Sequence, residues 1–171
     1  MVTIKKKKIR EVGKKVIDTE VQALKKLKLS LNETFEQSVE IIANCKSKII
    51  FCGVGKSFRV AAKISSTMAS IGSPSFVLSA NDCSHGDLGS ISKKDVLVMM
   101  SHSGQSEELT NVIDYAKKNK VKLIAITSKK NTKLFKSANV GICIPDVKEA
   151  GLGLVPTSST SCQLALGDAL A

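Results

Sequence analysis

Apolar residues recur at three- and four-residue steps through residues 8–28, at Ile9, Val12, Val16, Ile17, Val21, Leu24 and Leu27. That spacing lays them along one stripe of an amphipathic helix. Ser30 followed by Glu33 reads as a capping box opening a second helix, with Phe35, Val39 and Ile42 on its buried face. Beyond residue 45 the pattern changes. Short apolar runs stand at 47–52, 75–78, 95–100, 121–127 and 140–144, and helical stretches fall at 57–71, 106–119 and 158–171. Five short buried strands alternating with helices predict an α/β fold, a parallel sheet covered on both faces. In such open sheets ligands bind beyond the C-terminal strand ends, where the strand order switches direction.

With 171 residues the chain fits one domain, 1–171, built as a helix pair over 1–45 and an α/β core over 46–171. No apolar run approaches the roughly 20 residues needed to cross a bilayer. The N-terminus has a positive start but no uninterrupted apolar stretch after it, so it does not read as a signal peptide. Five cysteines (Cys45, Cys52, Cys83, Cys143 and Cys162) are spread along the chain without a C-x-x-C pair, and only two histidines accompany them. That pattern argues against a structural zinc site and for a reduced, cytoplasmic protein.

The formal charge of +11 is concentrated at one end: residues 1–28 hold ten Lys or Arg against three acids. The cluster is nearly all lysine and aromatics are 4% of the chain, so no stacking platform for nucleic acid is visible. Residues 1–28 also lack the Trp or Phe that a membrane-surface helix would want opposite its lysines. A solvated helix face is the expectation, with neither nucleic acid nor membrane as partner.

Four segments fall at the strand ends: Gly53–Ser57, Asn81–Gly89, Ser101–Glu108 and Lys148–Thr160. The first, in the stretch FCGVGKS, begins like a nucleotide-binding loop. A P-loop, however, needs its first glycine where Ile50 stands, and the dinucleotide fingerprint started by Gly53 and Gly55 fails at Phe58. Three of the four segments run into a predicted helix through small hydroxyl residues. A helix N-terminus offers free N–H groups and the positive end of the dipole, which suit a phosphate. One Ser or Thr per helix would only cap it. Ser101, Ser103 and Ser106 in one turn, and Thr157, Ser158, Ser159 and Thr160 in another, exceed that requirement. Gly104 lets the backbone approach a ligand closely, and His102 lies between the serines of its turn.

SHSGQSEE, after a buried strand, resembles the S-x-S-G-x-[ST]-x-E turn of the sugar isomerase (SIS) domain. With FCGVGKS, SHGDLG, KEAGLGLVPTSST and LALGDALA following the same order, the chain from about residue 10 onward is similar to the D-arabinose-5-phosphate isomerases. The resemblance implies a three-layer α/β/α sandwich with a five-stranded parallel sheet in flavodoxin-like order. It implies interconversion of D-ribulose 5-phosphate and D-arabinose 5-phosphate through an enediol, on the way to KDO and lipopolysaccharide, with no cofactor and no metal. It also implies a homotetramer in which a neighbour finishes each mouth. Family members continue past LGDALA with a His-Pro-Gly-Gly segment and often a pair of CBS domains. Relative to them a chain stopping at Ala171 reads as truncated, able to bind a pentose 5-phosphate but slow to turn it over. SIS domains also serve as phosphosugar sensors without catalysis, which is the competing expectation.

Aldose–ketose isomerisation needs a proton carrier between C1 and C2 and a group that stabilises the developing oxyanion. Lys56, after two glycines at a strand end, matches the family lysine and can sit over the enediolate oxygen or the phosphate. Gly53, Gly55 and Ser57 of its turn bring backbone and hydroxyl to the ligand. Glu108 shares a helical stripe with Val112 and Tyr115, which turns it inward toward Lys56 as its partner. Glu149 matches the glutamate before the PTSST turn, and His85 matches the histidine of SHGDLG. Either can carry the C1–C2 proton, histidine because it titrates near neutral pH.

Overall fold

The computed structural model describes residues 6–171. Residues 1–5, where part of the N-terminal charge cluster and the signal-peptide reading fall, lie outside the described residues. Two helices open the chain, α1 (Lys6–Ser30) and α2 (Glu33–Ala43). The expected capping box does not form. Helix α1 runs on through Ser30, whose hydroxyl donates back to the Leu27 carbonyl at 2.8 Å. Asn32 caps α2 instead, its side chain accepting from the Thr34 N–H at 2.9 Å.

Strand β1 (Ile49–Gly53) leads into α3 (Gly55–Ser70), β2 (Ser75–Ser79) into the short α4 (Ala80–Cys83), and β3 (Val96–Met100) into α5 (Leu109–Lys118). Then come β4 (Lys122–Thr127), α6 (Lys133–Ser137), β5 (Val140–Cys143) and α7 (Ser158–Leu170). All five strands pair in parallel, in the order β2-β1-β3-β4-β5. The expected strands are therefore present, with ends shifted by one or two residues. The expected helix from 106 starts later, at Leu109. Helices α4 and α6 and a 3-10 turn at Asp87–Ser90 fall in segments that the apolar pattern leaves as loops.

Every residue of β1 and β3 is buried, as strands covered on both faces require. Alternate side chains feed two cores. Ile49, Phe51, Val96, Val98, Ile124 and Ile126 meet α1, α2, α3 and α7 on one face. Ile50, Cys52, Leu97, Met99, Leu123 and Ala125 meet α5 and α6 on the other. The result is the three-layer α/β/α sandwich. Helix α7 crosses close to α3, where a Cβ on Gly167 would lie 2.2 Å from Ile64. It also packs on α1, to which the Ser161 hydroxyl donates at Glu20 over 3.0 Å. The apolar stripe of α1 divides: Ala23 and Leu27 join the core, while Ile9, Val12 and Ile17 are 55%, 56% and 63% exposed.

The chain leaves β1 toward β2 on one side and returns to β3 on the other. The switch in direction therefore lies between the C-terminal ends of β1 and β3, where a crevice opens.

Candidate functional site

A cavity of about 280 Å³ occupies that crevice. Val54, Lys56 and Ser57 come from the turn between β1 and α3, Met100 to Ser103 and Ser106 from the turn after β3, and Pro156, Ser159, Thr160 and Gln163 from the start of α7. Three loops distant in sequence thus meet because parallel strands deliver all their C-terminal ends to one edge.

The first turn is shaped by its glycines. A Cβ on Gly53 would stand 3.0 Å from the Phe58 nitrogen and 3.2 Å from the Met100 carbonyl, so the backbone of β1 can pass this close to α3 and β3 only without a side chain. Gly53 and Gly55 shape the wall without bordering the cavity, which Lys56 and Ser57 do. The second turn is held by its own hydroxyls. Ser101 and Ser106 lie Oγ to Oγ at 3.3 Å, Gly104 N–H donates to Ser101 at 3.1 Å, and Gln105 N–H donates to Ser103 at 3.3 Å. Gly104 has φ +65, and a Cβ there would strike the Thr127 and Thr132 hydroxyls at 2.8 and 2.7 Å, so its place is closed to larger residues. The His102 carbonyl accepts from the Thr127 and Ser128 hydroxyls at 3.1 and 2.8 Å. Its ring Nδ1 is buried and has no partner among the described residues.

The third turn differs from the expectation. Glu149 folds back over residues 150–156 and caps α7: its Oε2 accepts from the Thr157 N–H at 2.7 Å, the Thr157 hydroxyl at 3.1 Å and the Ser159 N–H at 3.2 Å. Burial pushes this carboxyl up, but the Ser159 hydroxyl beside it and those N–H donors outweigh burial and hold it below the usual carboxylate range. The Ser159 hydroxyl is near enough to act on the charge while closing no hydrogen bond of ordinary geometry. Two of the N–H groups that were expected to meet a phosphate therefore meet Glu149. Thr157 is occupied with it, and Ser158 is fully buried away from the cavity, leaving Ser159 and Thr160 to line it.

Of the four residues expected to carry chemistry, Lys56 alone borders the cavity. Glu108 is exposed and forms no ion pair with Lys56 among the described residues. The reason is where the helix begins: α5 starts at Leu109, with Leu109, Val112, Ile113 and Ala116 buried, and Glu108 stands outside it at the cap. His85 is exposed in the turn between α4 and the 3-10 turn, a segment tied to α5 by Asn111 donating to Ser84 at 3.1 Å. Glu149 does not border this cavity; its carboxylate is turned to the start of α7, and it lines a separate pocket with Val12, Val16 and Thr19 of α1. Gln163, completely buried on the cavity floor, was not foreseen. The available signal was its spacing of four from Ser159 among apolar neighbours. Among the described residues no three His, Cys, Asp or Glu side chains converge as a metal site would need, and no helix is long and apolar enough to cross a membrane.

Fold and site define a doubly wound α/β protein whose switch-point cavity is walled by hydroxyls and one lysine, a setting for a phosphorylated ligand. Residues 41–171 match the SIS domain, and the chain belongs to that family. Over 163 residues, 95% of this chain, it is 39% identical to the arabinose 5-phosphate isomerases KdsD of Yersinia pestis and of Escherichia coli strain K12. The chain spans about half the length of these curated relatives. An E. coli CFT073 protein solved in complex with arabinose 5-phosphate superposes with a TM-score of 0.94 at 32% identity, covering 98% of this chain and 89% of that one. The sugar isomerase domain of an RpiR transcription factor from Sphaerobacter thermophilus shares the fold, with a TM-score of 0.74 at 19% identity over 94% of this chain and 85% of that one.

Proposed function

We propose that the protein is a phosphosugar isomerase that interconverts D-ribulose 5-phosphate and D-arabinose 5-phosphate through an enediol. The observation that carries this is the switch-point cavity, which gathers Lys56 with the hydroxyls of Ser57, Ser101, Ser103, Ser106, Ser159 and Thr160. Its support from kinship is the 39% identity to isomerases of that name. The phosphate sits against the hydroxyls of the Ser101–Ser106 turn, and the Lys56 ammonium stabilises charge on the enediolate oxygen, where one such group is worth roughly 10²–10³ in rate.

Proton transfer is the harder half. Glu149 is held by three donors and its lowered pKa makes it a weak base, so His85 is the better carrier. Because His85 does not line its own chain's cavity, it works from a second copy. The exposed apolar residues Ile9, Val12 and Ile17 of α1, with Leu152, Leu154 and Val155 of the 150–156 loop, give that copy a surface to cover. A closed homo-oligomer, a tetramer by the family resemblance, buries them. Ile17→Glu is expected to reduce the assembly to smaller species in sedimentation velocity; an unchanged coefficient would count against this interface.

A second reading, phosphosugar binding without conversion, is favoured by one observation: neither His85, Glu108 nor Glu149 borders the cavity of a single chain. An NMR assay separates the two. The isomerase reading expects D-arabinose 5-phosphate to convert to D-ribulose 5-phosphate, and His85→Gln to slow that by roughly 10²–10⁴ with little change in affinity. Binding with no conversion at any chain concentration would leave the sensor reading standing.

A further inference from the structure

Gln163 stands in the second turn of α7, where an apolar side chain would be expected. Its neighbours Cys162, Leu166 and Leu170 belong to the core, and the residue itself is 0% exposed. Yet neither its Nε2 nor its Oε1 has a hydrogen-bond partner among the described residues. A buried amide left unpaired costs more than a methionine of similar length at the same place, so its presence asks for a partner from outside the chain. The side chain reaches the cavity beside Ser159 and Thr160, and among the described residues it is the one neutral amide on the cavity wall.

The chemistry of the remaining wall says what that partner is. Lys56, the hydroxyls of Ser57, Ser103 and Ser159, and one of the Ser101–Ser106 pair can donate to an anion, while the Thr160 hydroxyl already donates to the Thr157 carbonyl at 2.8 Å; a phosphate dianion only accepts. The Gln163 Nε2 can join those donors. Its Oε1 cannot be satisfied by a phosphate dianion, because it needs an incoming proton. A sugar hydroxyl brings that proton. The geometry points to Gln163 as a specificity-determining residue that accepts a hydrogen bond from a hydroxyl of the bound sugar, so that the cavity discriminates a hydroxylated phosphate ester from phosphate alone. The assignment rests on the phosphosugar reading above and adds to it the group that reads the sugar. The buried, unpartnered Nδ1 of His102, which lines the same cavity, offers a second contact to the same ligand.

The test compares the wild-type chain with Gln163→Met by NMR titration of D-arabinose 5-phosphate, D-ribulose 5-phosphate, D-ribose 5-phosphate and inorganic phosphate. The melting temperature of the unliganded chain is measured alongside. Gln163→Met is expected to weaken the pentose phosphates roughly tenfold or more. Inorganic phosphate should change less than about twofold. The melting temperature of the variant should stay level or rise, because an orphaned amide has been removed. Unchanged pentose phosphate affinity in the variant overturns the assignment, as does an equal loss for inorganic phosphate, which would put Gln163 on the phosphate. A fall in melting temperature with all affinities reduced assigns the residue to the packing of α7 and overturns it too. A wild-type chain that binds none of the pentose phosphates fails at an earlier step: it overturns the phosphosugar reading itself and this inference with it.

Discussion

At the N-terminal ends of the strands most buried polar groups find partners inside the protein, and of the Asp95 carboxylate only Oδ1 is left open among the described residues. Lys48 and Asp95 pair at 2.9 Å, Ser92 N–H donates to the same Asp95 Oδ2 at 2.6 Å, and the Ser75 hydroxyl donates to the Ile49 carbonyl at 2.9 Å. Burial would raise the Asp95 carboxyl, but the Ser47 hydroxyl, the Ser92 N–H and Lys48 hold it below the usual carboxylate range. At the C-terminal ends the Gln163 amide, the Nδ1 of the half-buried His102 and the Ser158 and Ser159 hydroxyls are buried and left unpartnered among the described residues. The two ends differ in degree: one carboxylate oxygen is open at the first, several polar groups at the second, which is the end where the proposed ligand would sit.

Breaking the closed end should have the largest effect. Lys48→Met leaves the Asp95 carboxylate, with a fully buried side chain, without its cation. The expected loss is about 3 kcal/mol, toward the low end for a broken buried pair because Lys48 is itself one-third exposed. Thermal or urea unfolding would show it, and pentose phosphate affinity should stay within about twofold in the folded fraction. A matching loss of affinity would show that the two ends are not separable.

Glu149 sharpens the comparison because it is a closed group at the open end. Glu149→Gln keeps an acceptor for the α7 N–H groups but loses the charge that faces the helix dipole, for an expected loss of about 1 kcal/mol at neutral pH. The sign with pH follows from the lowered pKa. An acid whose folded-state pKa is depressed stabilises the fold above its unfolded value, and that contribution disappears as pH falls through the folded value. The wild type should therefore lose stability between about pH 5 and pH 3 more steeply than Glu149→Gln, measured by urea midpoints across that range. Parallel curves would mean that the cap contributes no charge-dependent stability.

The sheet was legible in the sequence because strands buried on both faces are written as continuous apolar runs, such as IIFC and VLVMM. The Ser101–Ser106 turn was legible because a strand end, a glycine and clustered hydroxyls are contiguous. What escaped depends on distance or phase. The facing of Glu108 turned on whether α5 begins at 106 or at 109: inside the helix it would share the stripe of Val112, whereas at the cap it is not held to that stripe. Glu149 looked like a loop acid since its donors lie eight and ten residues onward, across a loop whose path the sequence does not state. His85 matched a motif, but the motif does not state that the fold leaves this side chain exposed and outside its own chain's cavity. Gln163 hid in an apolar helix, its meaning visible only once its amide was seen to have no partner.

The placement of α7 has a consequence for how the chain is made. This helix supplies one wall of the cavity and packs on α1 and α3, at the opposite end of the sequence. During synthesis all five strands emerge by Cys143, and α7 is complete only at Leu170. At ordinary translation rates that interval is roughly one to five seconds. Throughout it the face of α3 around Ile64 lacks its cover and the cavity lacks a wall. Through that window the apolar α3 face around Ile64 stays open, so the nascent chain is expected to be more prone to association before α7 docks than after it.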